Sequence, residues 1–341
     1  MDMSNVWPFP LSLRSKLAAA GYSTLASLQN VSPSALARDI NVSREEALRI
    51  LKTLHGNDKS SSHSSSGSSL LNGAKTAWEL LCHENTRRRI STSCAELDSL
   101  LGGGICLQEV TEICGAPGIG KTQFSMQLAI NVQIPKEADG VGGKVVYIDT
   151  EGSFMVERAL QMANGCVAHL HSLSLSSLSS EYLDVDTYLS NIYYFRICNC
   201  TEQIAVVNHL EKFLEDHKEV KLIVIDSVTF HFRHNFEDMS SRTRILSSMG
   251  QKLMHISESH QLAVVLVNQV TTKFSGGISK LIPALGESWS HACTNRLILY
   301  WEDNQRFAYM YKSPSLPSVS APFSVTQDGM CSVNYNKRQR V

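Results

Sequence analysis

Eight consecutive residues have the types and spacing to hold a phosphate: Gly115-Ala116-Pro117-Gly118-Ile119-Gly120-Lys121-Thr122. They read G-x-x-x-x-G-K-T, a complete phosphate-binding loop. Glycines let a backbone wrap an anion without Cβ clashes, and N–H groups at the start of a helix present partial positive charge to it. Lys121 reaches β- and γ-phosphates, and Thr122 offers its hydroxyl to Mg²⁺. The elements that must aim these groups lie on either side: 107–114 (LQEVTEIC) predicts a strand and 121–133 (KTQFSMQLAINVQ) a helix. Without such flanks the octapeptide is a glycine-rich turn; between a strand and a helix it is a nucleotide cradle, with ATP and Mg²⁺ as the expected ligands.

Further apolar runs predict more strands at 144–149, 192–197, 221–226 and 262–268, with helices near 153–170, 202–217 and 242–259. Strands alternating with helices imply a mainly parallel sheet covered on both faces. After residue 294 the runs 295–301, 306–311 and 321–326 follow one another directly, which predicts an antiparallel edge. In such a sheet ligands sit at the carboxyl ends of the strands. Lys221-Leu-Ile-Val-Ile-Asp226 ends there on a carboxylate, a Walker-B-like ligand for Mg²⁺; its plainer role is to cap the next turn. Glu151, after the run 145–149, can orient or deprotonate the water that attacks the γ-phosphate; Asp149 is the competing candidate. Gln269, ending a third strand, can touch the γ-phosphate and report it to the segment that follows. That segment, 270–287, reads as a long glycine-containing loop with Lys273 and Lys280, and loops of this length are usually functional. A second loop, 231–243, has Arg233, Arg242 and Arg244 in or beside it. Basic residues there suit nucleic-acid phosphates, or are solvated surface charge.

The rest of the chain bounds these readings. At 341 residues and 43% hydrophobic composition it can bury a sizeable core, in about two domains. The net charge of −1 carries no global basic footprint, so nucleic acid must be met by local segments. Nine scattered cysteines without a C-x-x-C pair favour reduced thiols in the cytosol or nucleus. There is no secretory signal pattern, and no apolar run is long enough to span a bilayer. Residues 1–56 predict a small helical domain: Ser32-Pro33 starts one helix, Ser43-x-x-Glu46 is a capping box for 44–54, and Gly21 and Gly56 stand where helices stop. Residues 57–89 are a serine-rich linker (57–69) and a connector ending in Arg87-Arg88-Arg89. The α/β core runs over 90–326, with 171–190 as a Ser/Leu-rich surface insertion, and 327–341 is a tail. Its basic end, Lys337-Arg338-Gln339-Arg340, reads as a nuclear import signal or a solvated tail.

Taken together, "STSCAELDSLLGGGI", "GAPGIGKTQ", "YIDTEGSF", "LIVIDS", "AVVLVNQV" and "SPSLP" resemble the RecA-type recombinases of the eukaryotic and archaeal branch, over residues 10–326. "INVSREEALRIL", "NGAKTAWELL", "SFMVERAL", "SVTFHFR" and "KSPSLPS" are similar, more narrowly, to the C-type recombinase paralogues. The resemblance implies a RecA-type core behind a small all-α domain, ATP bound between subunits, and DNA facing 231–243 and 270–287. It implies phosphate and Mg²⁺ at Lys121 and Thr122, the Walker-B role for Asp226, water activation by Glu151 and γ-phosphate sensing by Gln269. Arg158 would stack on adenine, where a plain helix-surface arginine is the alternative, and Arg242 would contact DNA. The implied partners are sister paralogues in hetero-oligomers, the recombinase filament, and single-stranded and branched DNA. The implied activity is a nuclear, DNA-dependent ATPase of homologous recombination and meiosis; the alternative is a scaffold that binds ATP without hydrolysing it. A small-molecule kinase would leave the N-terminal helical module unexplained. Two departures from the family pattern stand out. Ala74 replaces the linker phenylalanine that docks filament subunits, which favours defined hetero-complexes. Lys312 replaces the aspartate of many strand-exchange relatives, which puts a fixed positive charge where they use a monovalent cation near a neighbour's ATP.

Overall fold

The computed structural model describes residues 11–22, 28, 31–43, 46–47, 50–51, 76–172, 184–233, 238–275 and 278–333. The chain forms two compact units that meet at residues 86 and 87.

In the first unit, helices span Leu11–Ala19 and Pro33–Asp39. Ser32 caps the second, its side chain accepting from the Ala35 N–H at 3.2 Å, with Pro33 in the first turn. Gly21, at φ +86°, leaves the helical region just after the first. Ser43 accepts from the Glu46 N–H, half of the expected capping box. Leu17, Leu28, Leu36, Ile40, Ala47, Ile50 and Leu51 form a small core. A further helix, Ala77–Thr86, opens on a reciprocal cap between Thr76 and Glu79. Gly56, the serine-rich linker, Ala74 and the basic tail lie outside the described residues.

Among the described residues the second unit has twelve strands: β1 Arg89–Ile90, β2 Ile105–Cys106, β3 Val110–Gly115, β4 Lys144–Asp149, β5 Ile192–Arg196, β6 Val220–Asp226, β7 Ala263–Ser275, β8 Ile278–Pro283, β9 Asn295–Glu302, β10 Gln305–Lys312, β11 Ser320–Thr326 and β12 Gly329–Cys331. The main sheet runs β12-β11-β10-β9-β3-β7-β6-β4-β5. From β9 through β5 every pairing is parallel, and from β9 to β12 every pairing is antiparallel. The α/β core with its antiparallel edge is the arrangement expected from the run pattern. Side chains alternate across the sheet. Val145, Tyr147, Leu222 and Val224 pack against helices Lys121–Asn131 and Val156–Ser172. Val146, Ile148, Ile223 and Ile225 pack against helices Cys200–Asp216 and Met239–Ser259. Burial on both faces explains the near-continuous apolar runs.

Four expectations need correction. Segment 270–287 is not a loop: β7 continues to Ser275 and pairs antiparallel with β8, from Val270↔Pro283 to Ser275↔Ile278. The β-branched residues on either side of a Gly-Gly pair in the sequence are a hairpin signal. Segment 231–243 is shorter than expected, because Asp238 accepts from the Ser240 and Ser241 N–H groups and starts a helix at Met239. Arg242 and Arg244 therefore sit on that helix. Residues 185–190 are not a surface insertion but a helix, with Tyr188 buried and its carbonyl accepting from Gln133. The first core strand starts at Val110, because Gln108 adopts φ +67° and breaks the extended run.

Candidate nucleotide site and its wiring to two basic segments

Register brings the chemistry together. Gly115 on β3 lies beside Gln269 on β7, and Asp149 on β4 beside Asp226 on β6, all at the carboxyl ends of parallel strands. Lys121, Thr122, Glu151, Asp226 and Gln269 line one cleft with the phosphate loop.

The loop is shaped by its glycines. A Cβ on Gly115 would lie 2.8 Å from Ile119 Cγ2 and 2.9 Å from the Leu299 carbonyl oxygen. Gly120, at φ +112°, is the N-cap of helix Lys121–Asn131, a conformation L-residues avoid. Lys121 Nζ donates to the carbonyls of Gly115 (2.9 Å) and Ala116 (3.0 Å), so the ammonium is held within the loop. Burial lowers its pKa, and the carboxylates of Asp226 and Glu151 act against that. From behind, Arg306 Nε donates to the Ile119 carbonyl at 3.0 Å while its guanidinium lies 4.4 Å from the centre of the Trp301 ring. Arg306 was not foreseen; it lies far along the chain, on β10, and no motif marks it.

Asp226 is almost wholly buried, and burial pushes its carboxyl up to about 6. Hydrogen bonds from Thr122 and from Tyr147 Oη, the latter at 3.1 Å, favour the charged form. Tyr147 in turn shares a bond with Ser125 Oγ at 3.0 Å, which ties Asp226 to the first turns of the phosphate-loop helix.

Asp149 and Glu151 differ in their hydrogen bonding. Asp149 Oδ1 accepts from the N–H groups of Glu151 (3.1 Å), Gly152 (2.7 Å) and Ser153 (3.2 Å). Its Oδ2 accepts from the Phe154 N–H at 3.1 Å and from Tyr194 Oη at 3.0 Å. A fully buried carboxylate with five donors has no capacity left for a water proton. Asp149 folds the turn that presents Glu151, and the same turn delays the next helix to Val156. Glu151, exposed at the cleft, accepts on Oε1 from Ser227 Oγ at 2.5 Å and from Gln269 Nε2 at 3.1 Å. Gln269 Oε1 in turn accepts from Arg233. Arg233 follows the turn Phe230–Phe232 at the entrance of the 231–243 segment, and Gln269 opens the β7–β8 hairpin. One chain of side chains thus joins both basic segments to Glu151.

Other expected residues are placed differently. Arg158 does not line the cleft: it donates to Gln123 Oε1 at 2.6 Å, Gln161 Oε1 at 2.9 Å, the Thr326 carbonyl at 2.6 Å and the Gln327 carbonyl, pinning the β11–β12 turn beside the phosphate loop. Lys312 Nζ donates within the chain to the carbonyls of Ser290 (2.7 Å) and Cys293 (2.6 Å). Arg242 is half-buried, its Nε without a partner, and desolvation lowers its pKa. Arg244 is exposed and donates to Ser241 Oγ at 3.1 Å. Lys273 and Lys280 are backbone register partners across the hairpin.

Residues 85–333 match the Rad51 family model, which spans the whole sheet. The chain is 45% identical over 329 residues to DNA repair protein RAD51 homolog 3 of Cricetulus griseus, covering 94% of this chain and 90% of that one. It is 45% identical over 273 residues to the protein of that name in Dictyostelium discoideum, covering 78% and 72%. With a phosphate loop, a buried strand-end aspartate and a glutamine at the root of a basic hairpin on one sheet edge, the chain belongs to the Rad51 family as a RecA-type eukaryotic recombinase paralogue.

Proposed function

We propose that this paralogue is a DNA-dependent ATPase of homologous recombination. It works in the nucleus, meiosis included, with sister paralogues in hetero-oligomers, and assists recombinase filaments on single-stranded and branched DNA. The observation that carries the reading is the side-chain chain from Arg233 through Gln269 to Glu151. Gln269 is bonded at once to the residue that would activate water and to the entrance of a basic segment. A γ-phosphate in the cleft competes for the Gln269 amide, and a nucleic-acid phosphate competes for the Arg233 guanidinium. The first event takes Gln269 from Glu151 and the second frees Gln269 Oε1, so the two ligands bias one side chain.

The residues present fit ATP with Mg²⁺. Lys121 and the loop N–H groups take the phosphates. Mg²⁺ commonly uses one or two protein oxygens, with phosphate and water completing its shell, and Thr122 with Asp226 supplies that share. When bound, the ion would neutralise charge on the β- and γ-phosphates. Arg158, held beside Gln123, stays the adenine-side candidate. DNA contacts fall to Arg233, Arg242, Arg244, Lys273 and Lys280.

Gln269→Ala is expected to cut DNA stimulation of turnover by about tenfold or more, as loss of one charge-coupled hydrogen bond would. ATP affinity should barely change. Turnover measured with and without a single-stranded oligonucleotide checks this, and full stimulation in the variant would sink the coupling.

Lys312 already fills a seat of two carbonyl oxygens with an ammonium. The assembled ATPase is therefore expected to run without potassium, and Lys312→Ala to make it potassium-dependent. A potassium requirement in the parent chain, together with a silent Lys312→Ala, would remove Lys312 from the nucleotide site's chemistry.

A further inference from the structure

We propose that Glu112 is a positioning residue that fixes the β7–β8 hairpin, and through it Gln269, against the phosphate loop. The proposal rests on reading that hairpin as the DNA-facing segment. Glu112 lies on β3, three residues before Gly115, and its side chain is fully buried. Oε1 accepts from Asn268 Nδ2 at 2.5 Å and from Trp289 Nε1 at 2.8 Å. Oε2 accepts from Cys293 Sγ at 3.5 Å and from Arg296 Nε, its ion-pair partner and register neighbour on β9.

These donors include groups from the chain on either side of the hairpin. Asn268 stands immediately before Gln269 on the outgoing limb. Trp289 and Cys293 belong to the return path after β8. Asn268 also donates to the Ala284 carbonyl at 3.1 Å, and the Ala284 N–H donates to the Gln269 carbonyl at 2.9 Å. The stem of the hairpin therefore closes on one carboxylate, a single residue away from the contact to Glu151.

Stability alone does not require a charge here, since a buried ion pair is often replaceable by packed apolar side chains with little loss. What converging donors supply is a single geometry for the groups they hold. Asn268 Oδ1 and Arg296 Nη2 are both buried without a partner. They sit on β7 and β9, on either side of β3.

Two variants of the full-length chain test this. Glu112→Gln keeps volume and an acceptor oxygen but removes the charge facing Arg296. Trp289→Phe keeps a ring but removes the indole donor. Amide hydrogen exchange is compared between 269–285 and the phosphate-loop helix 121–131. Turnover is titrated with single-stranded oligothymidylate. Both variants are expected to speed exchange in 269–285 by about tenfold, as loss of a hydrogen bond to a charged group would, with 121–131 unchanged. The oligonucleotide concentration for half-stimulation should rise by about tenfold on the same ground, with the rate at saturation unchanged. Unchanged exchange in 269–285, or an equal rise in both segments, would overturn the proposal; the second result makes Glu112 a stability residue only. An unchanged half-stimulation point in a DNA-responsive protein overturns it too. If the parent chain shows no oligonucleotide-stimulated turnover, the functional reading fails, while the exchange comparison still decides the anchoring role.

Discussion

On the proposed ATPase reading, replacing Glu151 by glutamine is expected to lower DNA-stimulated ATP turnover by roughly 10²–10⁴-fold, the range for loss of a positioned general base. ATP affinity is expected to move by less than about twofold, because a general base acts on the water and not on the bound ground state. Glutamine preserves the side-chain shape and one oxygen to accept from Ser227 or Gln269, but it cannot take a proton. The surrounding turn should survive, since Asp149 and not Glu151 holds it: the bonds that fold residues 151–154 end on Asp149. Lys121→Arg is the companion variant. Its larger planar head is expected to disrupt the seat that Lys121 Nζ occupies between the Gly115 and Ala116 carbonyls, so it should lose ATP binding itself. Assembly with sister paralogues and repair in cells are then scored for both. If Glu151→Gln supports full repair while Lys121→Arg abolishes it, ATP binding and not hydrolysis is what the complex needs, and the scaffold reading replaces the ATPase reading. A Glu151→Gln turnover within about threefold of the parent, well short of any general-base contribution, would remove Glu151 from the chemistry.

What made these residues readable is that each sits within a few positions of a strand end. The phosphate loop, Glu151, Asp226 and Gln269 all follow apolar runs that predict β3, β4, β6 and β7, and parallel strands deliver such residues to one edge. What stayed hidden is whatever depends on partners far apart in the chain. Nothing near Tyr147 shows that its hydroxyl meets Asp226 across two strands. Glu112 reads as one polar interruption in a strand until β9 brings Arg296 beside it. Arg306 is a residue of an antiparallel edge strand until the fold sets it behind Ile119. Asp149 and Glu151 carry the same chemistry two residues apart, and only the count of donors around each separates them. The hairpin is hidden for a different reason: alternating strands and helices imply parallel pairing, whereas β8 pairs antiparallel with the strand directly before it.

Asp226→Asn should raise the melting temperature of the nucleotide-free protein at pH 7.5 while abolishing Mg²⁺-dependent ATP binding. Burial lifts the Asp226 carboxyl from 3.8 to about 6. A shift of roughly two units corresponds to about 3 kcal/mol of preference for the protonated form in the folded state. The stabilising contribution is complete below the unfolded value, near pH 4, and is lost as pH rises through about 6. At neutral pH the folded protein therefore holds an ionised carboxylate against its own stability. Asparagine carries no such charge and can still accept from Thr122 and Tyr147. Its amide N–H groups lack a carboxylate partner, which offsets about 1–2 kcal/mol of the gain. A net gain of about 1–2 kcal/mol raises the melting point of a core this size by about 3–6 °C. The advantage should shrink toward pH 4.5, where the parent carboxyl is largely protonated, and should reverse with saturating Mg-ATP, which stabilises only the form that binds it. Equal melting points at pH 7.5, or an identical pH slope in the two proteins, would show that the carboxylate is not strained. A higher melting point coupled to lost binding would show the opposite: the site keeps a destabilising charge because the metal-bound nucleotide needs it there, the trade between stability and function expected of a preformed site.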